Sequence, residues 1–136
     1  MPRFDPHSWC DGDQPRQRHL DLELNVDFET RALSGTVRLD LAAASSGPMD
    51  LDARDLQISA VTNQAGADIP WGVAETEQIR GDRLRLDLPA GTESITITYA
   101  TASGALALGW LEPQQTAGGQ HPFMFSQCQP IHARTM

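Results

Sequence analysis

From residue 19 the chain alternates: Leu20, Leu22, Leu24, Val26 and Phe28 are apolar, while His19, Asp21, Glu23, Asn25 and Asp27 between them are polar. A period of two places apolar side chains on one face of an extended strand and polar ones on the other. A turn follows over 30–35, and Val37, Leu39 and Leu41 resume the alternation, so the two runs predict an antiparallel hairpin with one wet face. The small residues of AAASSGP (42–48) predict a loop ended by a proline. Met49 and Leu51 begin a third run, residues 53–55 break it, and Leu56, Ile58 and Val61 make a fourth. A turn carrying Gly66 leads to a short edge at Ile69, Trp71 and Val73. RGDR (80–83) turns the chain into Leu84, Leu86 and Leu88, and PAGTE (89–93) turns it again into Ile95, Ile97 and Tyr99.

No helical period of useful length interrupts this series. About seven or eight strands at roughly ten-residue spacing predict an all-β fold, an antiparallel or mixed multi-strand sandwich or a curved-sheet domain. Residues 1–16 hold Pro2, Pro6, Pro15 and Gly12 without periodicity, which predicts an extended lead-in to a domain over 17–136. Trp9 is placed to tack that lead-in to the body. After Tyr99 the alternation fades into TASGALALGWLEPQQTAGGQ, a long irregular segment by its glycines and proline. Loops longer than about twelve residues tend to be functional or mobile. This one delivers the chain to HPFMFSQCQPIHARTM, residues 121–136.

At 136 residues and 14.8 kDa the chain is one domain by length, able to bury about two-thirds of the surface its unfolded form exposes. Eighteen acidic against ten basic residues give a net charge of -8, which repels phosphate backbones and anionic lipid and argues against nucleic acid as a partner. The N-terminus has no apolar stretch that reads as a signal peptide or a membrane span. Two widely separated cysteines, Cys10 and Cys128, read as free thiols, so a reducing, cytoplasmic location is expected.

Candidate chemistry is sparse. The histidines are His7, His19, His121 and His132, with no H-E-x-x-H to set two imidazoles on one helix face. Cys128, His132 and His121 offer three soft ligands but no evident fourth, and a packed thiol with a hydrogen-bonded imidazole accounts for them as well. A Cys128/His132 dyad lacks an orienting group and a glycine-rich elbow. The pairs Asp50/Asp52 and Asp11/Asp13 read as solvated faces, and Arg80–Asp82 as a chance RGD. Gln127 and Gln129 remain, two amides at alternate positions of an extended segment. They suit a groove that reads peptide backbone or an α-amine, and serve equally as partners for loop backbone.

The segment FSQCQPIHAR, preceded by LGWLEPQQTAGGQHPFM, resembles the end of the N-terminal domain of the zinc aminopeptidases, in the leukotriene A hydrolase branch. RHLDLELNVDFETRALSGTVRLDL resembles the opening hairpin of the same domain. The resemblance implies a fold, the N-terminal domain of the zinc aminopeptidase fold. It also implies a site: Gln127, Cys128, Gln129 and Pro130 match a segment that reaches into the active-site cleft, where the position of Gln129 helps hold the free amino end of a peptide. The general pattern has glutamate there; Gln129 follows the hydrolase branch, while Pro130 follows the general pattern.

It implies further that a full-length parent binds zinc through two histidines and a glutamate, with a second glutamate activating the water that attacks the first peptide carbonyl. Those residues belong to a thermolysin-like catalytic domain expected after residue 136. The chain itself is therefore expected to hold no catalytic residue and no metal, with peptide and the missing catalytic domain as its partners. Phe123, Met124, Phe125 and Ile131 are expected to favour self-association through the C-terminal strip, and Arg134 and Phe125 to anchor that strip. A stand-alone β-sandwich binding module for carbohydrate or protein is the alternative, and a bifunctional epoxide hydrolase a further one.

Overall fold

Among the described residues seven strands carry the fold: β1 (Gln17–Asp27), β2 (Ala32–Ala53), β3 (Leu56–Asn63), β4 (Trp71–Glu77), β5 (Gly81–Thr101), β6 (Leu108–Leu111) and β7 (Phe123–Ser126). The computed structural model describes residues 5–10 and 12–136. Residues 1–4 and 11, and with them Pro2 and Asp11 of the Asp11/Asp13 pair, lie outside the described residues. All pairings are antiparallel. The main sheet runs β1-β2-β5-β3 with β4 also on β5, and β6-β7 form a small second sheet.

Two expected loops are instead interior to strands. AAASSGP lies within β2, and PAGTE within β5. The β2-β5 register shifts between Asp40 and Ser45 and again between Ser45 and Gly47, and Gly47 (φ 84°) and Gly91 (φ 81°) supply the left-handed conformation that such bends need. Small residues here mark a bend in a continuous ladder rather than a break. Each long strand therefore serves two layers. One layer joins β1, β2, β5 and β3 through pairs such as Leu39↔Ile95 and Ile97↔Val61; the other joins β2, β5 and β4 through Met49↔Leu86 and Leu86↔Trp71. A single cluster holding Leu39, Met49, Leu86, Ile95 and Ile97 fills the space between them.

In the second layer β2 has no strand on its outer side, and the lead-in takes that place. The Asp50 N–H donates to Gln14 Oε1 (3.0 Å) and Gln14 Nε2 donates to the Asp50 carbonyl (2.8 Å), as a neighbouring strand would. Trp9 does tack the lead-in down: its N–H donates to Asp52 (2.6 Å), its indole N–H to the Gly81 carbonyl (3.2 Å), and the Arg80 and Arg83 guanidiniums lie over its ring.

Asp50 corrects a second expectation. It is 7% exposed rather than solvated, with Arg85 gripping both oxygens (2.9 and 3.0 Å) and Arg83 at 2.6 Å. Burial acts to raise its pKa, but the hydrogen bonds and charges of the two arginines prevail and hold the carboxyl below its ordinary value.

Candidate substrate-lining strip

The strip is built on the β6-β7 hairpin. β7 pairs Phe125 with Gly109, and Gly109 is small because the Phe125 ring lies over it; a Cβ there would sit 2.2 Å from the ring. The other face of the hairpin leans on the body through Trp110, whose ring meets Phe28 edge-on at 5.6 Å. Phe123 and Phe125 remain 55% and 43% exposed. Phe125 therefore packs on its own hairpin rather than anchoring the strip to the body.

Beyond β7 the Gln127 N–H donates to the Ala107 carbonyl at 2.7 Å, which extends the pairing by one step. The chain then turns. Gln129 takes φ 49°, a left-handed conformation uncommon for a residue with a Cβ, and the His132 N–H closes onto the Cys128 carbonyl at 2.7 Å. The period-two argument for two amides on one extended face thus holds to Cys128 and fails at Gln129. Strain of this kind persists only where the surroundings over-determine it, and it concentrates at functional sites.

Those surroundings are the last residues. Arg134 donates from Nε to the Ile131 carbonyl (2.7 Å) and from Nη1 to the Arg80 carbonyl, lies 3.9 Å from Asp52, and its own carbonyl accepts from the Arg54 N–H (3.0 Å). Thr135, fully buried, accepts from the Ala107 N–H (2.9 Å) and donates to the His132 carbonyl (2.8 Å). Arg134 anchors as expected. Thr135 had no signal in the sequence, because its value lies in where the turn delivers one hydroxyl.

Gln127–Pro130 is thus a short bridge pinned before and after. Gln127, Gln129 and Pro130 are exposed and Cys128 is half-buried. Neither glutamine carboxamide has a hydrogen-bond partner among the described residues, so the loop-backbone role that competed for them is not the one they fill. Each presents two donors and an acceptor to whatever lies alongside. No group of three His, Cys, Asp or Glu able to hold a metal exists among the described residues, so His121, Cys128 and His132 do not fit a zinc. Cys10 and Cys128 are both free thiols, and no helix among the described residues is long and apolar enough to cross a membrane.

Comparison with known proteins gives this geometry a context. The family described as Peptidase M1 N-terminal domain matches residues 16–136. Leukotriene A-4 hydrolase of Xenopus laevis is 34% identical over 139 residues, which take in 97% of this chain and 23% of that protein. Leucine aminopeptidase 2 of Phaeosphaeria nodorum is 35% identical over 127 residues, 88% of this chain and 20% of its own length. Among solved structures, yeast LTA4 hydrolase in complex with bestatin superposes with a TM-score of 0.87 at 29% identity, over 98% of this chain and 22% of that one. The chain spans less than a quarter of the length of these relatives.

Proposed function

The chain belongs to the Peptidase M1 N-terminal domain family, and from that premise we propose that it is the substrate-lining domain of a zinc metalloaminopeptidase that removes N-terminal residues from peptides. The observation that carries this reading is the pinned bridge. Gln127 and Gln129 stand exposed, with free carboxamides, on a segment held on one side by β7 and on the other by Arg134 and Thr135. An exposed amide pair at that position suits the free amino end and first backbone groups of an extended peptide. On this reading Gln127, Cys128, Gln129 and Pro130 form one wall of a cleft. The zinc and its ligands belong to a catalytic domain outside these residues, the enzyme works in the cytoplasm, and the 136-residue chain alone is inactive.

The deciding experiment is hydrolysis of a panel of aminoacyl chromogenic amides, together with a zinc assay, on this chain and on the longest product of its gene. Cleavage and zinc in the longer form, with neither in the shorter, is the expected result. A longer form that is inert leaves a β-sandwich binding module instead.

Gln129 offers a sharper test within an active longer form. An amide accepts from an ammonium without a full charge, and charge-assisted hydrogen bonds are roughly twice as strong as neutral ones. Gln129→Glu is expected to lower KM for peptides with a free amino end by about fivefold. Affinity for an N-acetylated peptide should stay put, and an equal shift for both would remove Gln129 from the amine site.

The exposed aromatics of β7 bear on association. Phe123 and Phe125 present adjacent rings on one side of the hairpin, and the chain is expected to self-associate through them at high concentration. The double variant Phe123→Ser/Phe125→Ser should weaken that association by about tenfold or more. Sedimentation that shows the same mass distribution for both proteins would count against it.

A further inference from the structure

Arg134, the anchor of the strip, has a side chain that is 7% exposed. A charge buried so deeply is costly unless an opposite charge faces it. Asp52 supplies one, with Oδ2 at 3.9 Å from Nη2, which is beyond direct hydrogen-bond distance. Other donors therefore decide where that carboxylate stands. The Ser8 hydroxyl donates to Oδ2 and the Trp9 N–H to Oδ1, each at 2.6 Å, so the lead-in grips both oxygens. Hydrogen bonds to a charged acceptor are roughly twice as strong as neutral ones.

The lead-in reaches Arg134 by a second route, the peptide between Arg80 and Gly81. The Arg80 carbonyl accepts from Arg134 Nη1, and the Gly81 carbonyl accepts from the Trp9 indole N–H (3.2 Å). The Arg80 guanidinium also lies 4.7 Å from the centre of the Trp9 ring, and its Nε donates to the Pro6 carbonyl (3.3 Å). Arg134 passes both constraints on. Its Nε donates to the Ile131 carbonyl, and its own carbonyl accepts from the Arg54 N–H. Ile131 follows closely on Gln129, whose left-handed φ of 49° decides where the carboxamide points. The family match begins at residue 16, so Ser8 and Trp9 lie outside it.

We propose that Ser8 and Trp9 are positioning residues for the substrate strip. They fix Asp52 and the Arg80–Gly81 peptide, these hold Arg134, and Arg134 holds the turn that presents Gln129 to the amino end of a peptide. Neither residue touches substrate. The link to substrate rests on the reading of the strip given above, whereas the link from lead-in to turn stands on the hydrogen bonds alone.

Ser8→Ala/Trp9→Ala removes the hydroxyl, the ring and the indole donor, and amide hydrogen exchange reads the result on the 136-residue chain. The His132 N–H closes the turn onto Cys128, and the Arg54 N–H reports where Arg134 stands. Both are expected to exchange about tenfold faster or more, while β3 stays unchanged. Ser8→Thr/Trp9→Phe keeps a hydroxyl and a ring and should restore most of the protection. If the double alanine variant does not fold, Ser8→Ala alone carries the test at the same two amides. Unchanged exchange there overturns the proposal, as does a failure of the conservative pair to restore it. Equal acceleration in β3 overturns it too, since the lead-in would then be a general stabiliser. In an active longer gene product the double alanine variant should raise KM for peptides with a free amino end by about threefold at unchanged kcat, and leave affinity for an N-acetylated peptide alone. A fall in kcat at constant KM, or an equal shift for both peptides, overturns the route to Gln129. An inert longer product removes the peptidase reading only, because the exchange result still decides whether Ser8 and Trp9 hold the turn.

Discussion

Asp50→Ala is expected to destabilise the chain by about 3 kcal/mol at neutral pH. The carboxylate is 7% exposed and stands between two guanidiniums, one of which grips it with two hydrogen bonds. Its removal leaves Arg83 and Arg85 facing each other across an emptied position, with like charges and lost hydrogen bonds. The pH dependence gives the signature. The carboxyl is held below its ordinary value in the fold, so its contribution is fully present above the unfolded value of about 3.9 and fades as pH falls through the folded one. Urea unfolding should therefore show a gap between the two proteins at neutral pH that narrows below about pH 4. A gap that stays constant into acid would mean that Asp50 acts through packing instead of charge.

Leu86→Ala is expected to cost about 3 kcal/mol, within the usual range for truncating a buried leucine. Leu86 is 0% exposed and lies in register with Met49 on one side and Trp71 on the other, so the lost methyl groups leave a void that all three strands of its layer border. The same truncation at Leu20, 53% exposed, should cost well under about 1 kcal/mol, because little apolar area is lost there. Both are read as shifts of the urea midpoint with an unchanged slope. Equal costs at the two positions would place Leu20 inside the core and contradict its exposure.

The strands were readable wherever a buried face imposed a period of two, as at Leu84, Leu86 and Leu88 or Ile95, Ile97 and Tyr99, whose alternate residues are buried. What a strand does between two such runs was not. AAASSGP and PAGTE carry no apolar alternation because a bend needs small residues and left-handed glycines, and those residue types also make loops. β6 was missed for a related reason: Gly109 interrupts its pattern, and it is a glycine on account of Phe125, which is remote in sequence. Asp50 gave no sign of burial, since its arginines come from β5, more than thirty positions on. At the strip, Arg134 was legible as the anchor, which its hydrogen bonds to the Ile131 and Arg80 carbonyls bear out. The turn at Gln129 was invisible, because φ 49° is imposed by the hydrogen bonds on either side and not by the glutamine itself.

Because β2 and β5 each pass through both layers, the molecule has no half that can be made first. The ladder between them runs from Ser34↔Ala100 to Ala53↔Asp82, so chain segments far apart in sequence must be aligned before either layer has its central pair. The entropy of closing those loops precedes the contacts that reward it, which places such a topology among the slow folders, on the scale of about milliseconds to seconds. It also ties the strip to the whole. Thr135 is held by Ala107, one residue before β6, and Arg134 by Arg80, one residue before β5, so the bridge at Gln127–Pro130 takes its shape from contacts that only the assembled sheets supply.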